Sequence, residues 1–468
     1  MALKTNRRDF LKGAAATAVA GYWVSGTQTW ADVVASKSPN EKVNFASIGI
    51  GGKGDSDSEH VAKRGNLVAI CDVDTKRLEA KNKKHPNAKA FTDFREMLDK
   101  MGKEIDAVTI STPDHTHAVA TMAAIKLGKH VYTQKPMTHD VWEARQLQLA
   151  AKSAKVATQM GNQGTASSKL REGVDLIRAG VLGEIAHVHI WTNRPVWPQS
   201  PSITARPAQV PVPDYLKWDL WLGPAADRPY GEKFYHPFNW RGWWDFGTGA
   251  LGDMGCHTAN LPFMALKLGA PTSLVGSSEE LNPETYPAWG KVDYEFPARE
   301  GFGPTKVTWY EGKKDGKLVH PPEALATKVL ELAGVKGKGG QPPKLNNSGC
   351  IIEGSKGMLY SPHDYGGDWV LLPKEQFTSY KANPVLPKNP EGGDQGQKDE
   401  WIAAIKGGPA ALSNFDYAGP LTEFILLGNI AILAKGKKLE WDGPNMKFTN
   451  APEFDKHLKR EYRAGWSI

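Results

Sequence analysis

Short apolar runs at residues 43–48, 67–72, 107–111, 130–133 and 156–160 punctuate the first third of the chain. Between them, segments such as 116–127 and 139–154 bring an apolar residue round every three or four positions. Strands buried on both faces read as continuous apolar runs, and parallel neighbours need a helical crossover. The pattern therefore predicts a doubly wound parallel sheet over residues 42–165. After Gly164 the rhythm changes. A helix is expected at 169–179. Strand-like runs at 185–192, 273–278, 291–296, 306–309, 357–360 and 369–372 then dominate, and helices return at 397–406 and 421–435. Residues 166–468 are thus expected to form an α+β domain around a largely antiparallel open sheet, and the chain as a whole to be α/β with two domains. Long stretches at 194–250 and 311–348 carry neither period. Loops of that length are usually functional. The second, with seven lysines, reads as a lid or a solvated loop.

Composition agrees with two globular cores: 468 residues, 40% hydrophobic and 23% charged. The formal charge of +7 is partly a property of the N-terminus, and without residues 1–31 it falls to +4. That balance gives no reason to expect a nucleic-acid partner. Arg7 and Arg8 precede an apolar, small-residue run over 13–26, too short to span a bilayer comfortably. Residues 1–31 read as a twin-arginine signal, with processing near Ala31 or a retained anchor. This implies the twin-arginine export machinery as a partner and a periplasmic or otherwise exported location. Cys71, Cys256 and Cys350 are odd in number and lack metal-ligand spacing. Three free thiols and no metal site are expected.

The glycine turn after the first strand changes the picture. Gly49, Gly51, Gly52 and Gly54 form G-x-G-x-x-G, and Asp72 closes the next strand. Glycines let the backbone bend and approach a pyrophosphate, whose charge sits against helix N-terminal amides. A carboxylate at the end of the second strand accepts from both ribose hydroxyls of NAD and repels a 2′-phosphate. The first domain is therefore expected to be a Rossmann domain for NAD, with NADP disfavoured.

Three further motifs follow in order. They are Ser111-Thr112-Pro113-Asp114-His115-Thr116-His117, then Gln134-Lys135-Pro136, then residues 252–260 with Asp253, His257 and Asn260. With the glycine turn they resemble the glucose–fructose oxidoreductase, inositol dehydrogenase and rhizopine catabolism (Gfo/Idh/MocA) family, over nearly the whole chain after the signal. The resemblance implies that Thr112, Pro113, His117, Gln134 and Lys135 lie along the cofactor, and that Asn162 touches cofactor or substrate. It also implies that an open sheet pairs subunits into a homo-oligomer. Two positions depart from the family pattern. Gln134 stands where a glutamate is usual, and Asn260 where the last aspartate of the third motif is usual.

The chemistry of the residues points the same way. Oxidising a secondary alcohol needs a base for the hydroxyl proton while hydride leaves carbon. Lys135 suits that task, because a neighbouring nicotinamide cation and partial burial favour the neutral amine. Asp253 and His257 are four apart and share one face of a helical turn. His257 is placed to shuttle the proton, and Asp253 to orient it or to bind a second hydroxyl. Seven of the sixteen tryptophans fall between 191 and 244, where most are expected to pin a long loop and one or two to face the substrate. Arg194 and Arg241 are candidates for holding substrate hydroxyls or a carboxylate.

Three functions remain open at this point. The first is NAD-dependent oxidation of a sugar or polyol, with a tightly held cofactor that is recycled because an exported enzyme meets little free NAD. The second is NAD-assisted glycoside hydrolysis by oxidation, elimination, hydration and reduction. The third is a non-catalytic carbohydrate-binding relative.

Overall fold

The computed structural model describes residues 42–337, 339–380 and 383–468. The twin-arginine segment lies outside the described residues. The first sheet has six parallel strands in the order β3-β2-β1-β4-β5-β6. These are β1 Asn44–Ile48, β2 Asn66–Cys71, β3 Lys89–Phe91, β4 Ala107–Ile110, β5 His130–Thr133 and β6 Thr158–Met160. Between them run α1 Lys53–Ala62, α2 Thr75–Lys84, α3 Phe94–Met101, α4 Asp114–Lys126 and α5 Val141–Ala154. This is the doubly wound sheet that the apolar runs predicted. Its order reverses between β1 and β4, so the loops leaving those strands open a crevice at their carboxyl ends. The unit β3–α3 was not foreseen, because a three-residue strand leaves no usable period.

Helix α6, Ser168–Arg178, leads into the second sheet. Its order is β14-β13-β12-β7-β10-β9-β8-β15-β16, with β11 paired to β10. Those strands are β7 Ile185–Thr192, β8 Ser273–Ser278, β9 Trp289–Phe296, β10 Thr305–Lys314, β11 Lys317–Leu318, β12 Gly349–Gly354, β13 Gly357–Ser361, β14 Val370–Leu372, β15 Leu439–Asp442 and β16 Lys447–Phe448. Only the β7–β10 pairing is parallel, so the sheet is mixed and largely antiparallel, as expected. One face is covered by α8, Gly249–Thr258, and by α12, Phe415–Leu433. Helix α12 is mostly apolar and, past its first turn, buried over most of its surface. No helix of the described residues is long and apolar enough to cross a membrane.

The lysine-rich stretch 311–348 is a solvated loop only in its second half, where the described residues of 334–347 are largely exposed. It contains the end of β10, β11 and helix α10, Glu323–Ala333. Val329 and Ala333 pack on Trp191, Tyr310 and Ile351 on the outer face of the second sheet. Within the helix Lys328 is the only lysine, and the others among the described residues flank it in the strands and connecting loops. Long-range packing also joins the two halves: α11, Gly393–Ile405, lies against the first domain, where Trp401 meets Phe45 and Tyr132.

A buried acid within the second sheet makes stability pH-dependent. Glu311 is 2% exposed; burial pushes its carboxyl up to about 7, only partly offset by the Trp309 indole N–H, 2.7 Å away. A carboxyl raised above its ordinary 4.5 contributes most below that pH, and the contribution is lost as pH rises through 7. Glu311→Gln should therefore change little at pH 4.5 and stabilise the protein by about 2 kcal/mol at pH 8. Denaturant unfolding at both values checks this.

Candidate active site

The glycine turn shapes one wall of a cleft of about 440 Å³ at the switch point of the first sheet. Gly49 and Gly52 have φ of +75° and +55°, which a residue with a side chain rarely adopts. A Cβ on Gly54 would lie 1.8 Å from the Gly49 carbonyl oxygen, so helix α1 can start this close to β1 only with glycine there. No side chain caps α1. The amides of Gly54 and Asp55 turn back to the carbonyls of Gly51 and Gly52, and the positive end of the helix, at Gly52 and Lys53, faces the cleft. Asp72 ends just past β2 and is fixed by the amides of Ile50 and Asp74, each 2.9 Å away. Thr112 lines the same cleft with its buried Oγ1 unpartnered. Uncapped helix, glycine cradle, strand-end carboxylate and orphaned hydroxyl together fit a nicotinamide dinucleotide.

The far end of the cleft brings the predicted reactive groups together. Lys135 follows β5 and donates from Nζ to Asp253 Oδ1 and to the Asp253 carbonyl, each at 2.7 Å. Arg241 Nε lies 3.5 Å from Asp253 Oδ1, and Arg194 Nε 3.9 Å from Oδ2. Burial alone would push the Asp253 carboxyl up; Lys135 and Arg241 outweigh it and hold it at about 2. One carboxylate thus faces three cations, which leaves net positive charge for a substrate. Arg241 is braced by stacking over Phe238 and Trp240.

His257 shares a helical face with Asp253, as the spacing predicts, but it makes no hydrogen bond to it among the described residues. It lies behind the cleft wall, 4% exposed, with its ring against the edge of Tyr365. Burial, then the Lys135 charge, drives its pKa well below the usual range, so the ring is neutral, with Nδ1 unpartnered.

Other assignments move. Asn162 does not line the cleft: its amide is taken up by Ser413, Gln397 and the Cys256 carbonyl. Asn260 is fully buried between Thr165 and Tyr417, so the expected substrate contact is replaced by a packing role. Both amides fill the junction of the two domains, where a polar side chain must find internal partners. His117 lines the cleft but bridges two loops, with Nε2 at 2.8 Å from the Thr112 carbonyl and Nδ1 at 2.8 Å from that of Pro136. Pro113 and Gln134 line the cleft directly. Most tryptophans of the long loop build their own core, where Trp218, Trp221 and Trp243 pack with Tyr235. Trp221 and Trp240 also reach the cleft, as does Trp466.

Two groups escaped the sequence reading. Gln134 donates to Asp57 Oδ2 at 2.8 Å, and Asp57 also accepts from Ser111 Oγ and from the fully buried Lys398. A carboxylate from α1 thus lies behind position 134, fully buried and outside the cleft lining. Burial would raise it, but Lys398 and Lys53 hold it at about 2. No linear signal joins Asp57 to a lysine 341 positions away. The three cysteines are buried free thiols. The described residues also gather His187, His189 and Glu353 away from the cleft, although no metal-ligating group was expected.

Comparison with known proteins decides the family. Residues 43–162 match the model of an oxidoreductase family with an NAD-binding Rossmann fold, and residues 168–299 match that family's C-terminal alpha/beta domain. The chain belongs to the Gfo/Idh/MocA oxidoreductase family. Residues 4–21 match a twin-arginine translocation signal. A glycosyl hydrolase family 109 protein of Solibacter usitatus is 29% identical over 199 residues, 39% of this chain and 45% of its own. Inositol 2-dehydrogenase of Salmonella agona is 26% identical over 149 residues, 30% of this chain and 44% of the relative. The chain thus spans less than half the length of these curated relatives. The WlbA dehydrogenase of Chromobacterium violaceum, solved with NADH and UDP-GlcNAcA, has the same fold. It superposes with a TM-score of 0.60 at 16% identity, over 86% of this chain and 97% of that one. Aldose-aldose oxidoreductase of Caulobacter crescentus gives 0.54 at 15% identity, over 86% and 100%.

Proposed function

We propose that the protein oxidises and reduces a secondary alcohol of a sugar or polyol, with NAD held in the cleft through each cycle. The observation that carries this is the Lys135 ammonium seated on Asp253, between two arginines, at the far end of the dinucleotide cleft. Bound nicotinamide supplies the hydride acceptor and donor. Lys135 handles the proton at the substrate oxygen: as the free amine it takes it during oxidation, and as the ammonium it returns it during reduction. Asp253 fixes the lysine's direction, and its low pKa keeps it a carboxylate throughout. Arg194 and Arg241 bind substrate oxygens, and a carboxylate-bearing sugar suits their charge best. His257, neutral behind Asp253, is a positioning group or a relay for the proton.

Asp72 favours NAD over NADP, but Arg77 lines the same end of the cleft, with its guanidinium over Gly51. Asp72→Ala should therefore shift the ratio of NADP to NAD affinity by roughly tenfold or more, the worth of one charge-assisted hydrogen bond plus relieved repulsion. Fluorescence titration with both nucleotides measures it.

A redox-neutral glycosidase is the second reading, favoured by the family 109 relatives. There the same lysine would return at the end of the cycle the proton it took at the start, with aglycone elimination and water addition between. Export by the twin-arginine route to the periplasm fits either reading, since the enzyme folds with its cofactor before crossing. The test is to purify the full chain without added nucleotide, denature it and quantify NAD(H) and NADP(H). About one NAD per chain supports a resident cofactor; an empty protein that binds NAD weakly overturns that part. Net NADH from free sugars then marks the dehydrogenase, and aglycone release without NADH marks the glycosidase.

A further inference from the structure

The outer face of the second sheet carries a group that the dehydrogenase reading does not use. Along β7, Val188 and Ile190 enter the main core, so the alternating His187 and His189 stand on the opposite face. Their rings lie 3.8 Å apart, centroid to centroid. Strand β12 runs antiparallel to β7 and sets Glu353 opposite His187. Glu353 Oε1 is 2.9 Å from His189 Nε2, and one ligand atom from each of the three residues lies within 4.8 Å of the others. We infer that His187, His189 and Glu353 form a binding site for one zinc-class divalent cation, separate from the nicotinamide cleft.

Hydrogen bonding around the three residues supports this. Thr308 spends its hydroxyl proton on Asp293 Oδ1, 2.7 Å away, so it must accept from His187 Nε2 at 2.9 Å. His187 is thereby fixed with its proton on Nε2 and a lone pair on Nδ1. The Tyr310 hydroxyl lies 3.0 Å from His189 Nδ1. With Nδ1 paired to that hydroxyl, Nε2 is the ring nitrogen that faces the Glu353 carboxylate and the one that would ligate the cation. Two imidazoles and a carboxylate are a zinc ligand set with a position left open. Hydrogen bonds from the remaining ring nitrogen are what orient metal-bound histidines. Nitrogen-rich sets of this kind select zinc and copper over magnesium and calcium. Two tetrahedral zinc ligands stand roughly 3.3 Å apart. Glu353, at 35% side-chain exposure, has room to open its 2.9 Å contact with His189 to about that distance. The histidines are held by the ladder between β7, β10 and β12, so the site is rigid on two of its three sides.

The experiment uses tag-free full-length chain, stripped with a chelator and titrated with Zn²⁺ against a chromophoric competitor, and separately with Co²⁺. One equivalent of Zn²⁺ per chain, with a visible Co²⁺ spectrum, is expected. His187→Ala/His189→Ala should abolish both, and Glu353→Gln, which keeps the shape at a half-exposed position, should weaken Zn²⁺ at least tenfold. Thr308→Val should weaken it by about tenfold, the usual effect of losing an outer partner. Nucleotide binding should be unchanged in each variant, which shows that it has folded. No stoichiometric Zn²⁺ binding by the native chain would overturn the proposal, as would binding that survives loss of both histidines in a variant that still binds nucleotide.

Discussion

Lys135→Met should lower turnover by about 10²- to 10⁴-fold, the usual contribution of a positioned acid–base group, while nucleotide binding stays within a few-fold of the native value. The aliphatic stem of methionine fills the same channel, so the cleft keeps its shape and only the ammonium is lost. Asp253 would still face Arg241 and Arg194 and would remain ionised. The deficit should therefore appear in kcat and not as a collapse of substrate affinity. Lys135→Arg should rescue the ion pair with Asp253 but not the rate, because a guanidinium does not give up its proton near neutral pH. Steady-state kinetics with sugar substrates, alongside nucleotide titration, separates the two effects. A Lys135→Met enzyme within tenfold of the native rate would remove Lys135 from the reaction.

That prediction could be framed from the sequence, because the motifs around Lys135 and Asp253 are linear: Lys135 follows a well-marked strand, and Asp253 stands four positions before His257. The strands of the first sheet were equally legible: continuous apolar runs such as residues 107–111 have no other stable use. What was hidden has a physical reason in each case. Strand β12 is only Gly349–Gly354, at the end of a lysine-rich stretch, and declares itself by pairing with β7 and β13. Asn260 shares its motif with Asp253, which lines the cleft, and Asn162 follows the last strand of the first sheet, but the direction of each side chain is set by packing at the domain junction. For both, the polar partners come from distant segments, Ser413 and Gln397 for one and Tyr417 for the other. His187 and His189 were in view as His-Val-His within a predicted strand. The residue opposite them came from β12, which was not.

The largest effect on stability is expected from the pair that sequence could not connect. Lys398→Met should cost about 3–5 kcal/mol, the penalty for removing one partner of a buried ion pair. Lys398 Nζ meets Asp57 and, at 3.0 Å, the Tyr132 hydroxyl, with both charged side chains fully buried. Met replaces the volume but leaves the Asp57 carboxylate with Lys53 at 3.3 Å, itself one-third exposed and shared with Asp394. The sign of the pH dependence follows. Asp57 is held at about 2, below its ordinary 3.8, so its contribution is present above 3.8 and fades as pH falls through 2. Without Lys398, burial dominates and the carboxyl takes up a proton at higher pH. The gap between native and variant should therefore be full at pH 7 and narrow on acidification, as denaturant unfolding at several pH values would show. Asp57→Asn/Lys398→Met should recover part of the loss, because no charge is then left without its partner. Strict additivity of the two single changes would mean that the pair is not coupled. The consequence also reaches the site: Asp57 holds Gln134 Nε2, and Gln134 lines the cleft beside Lys135. Nucleotide affinity should fall in Lys398→Met even at temperatures where the variant is fully folded, which distinguishes a positioning role from a purely structural one.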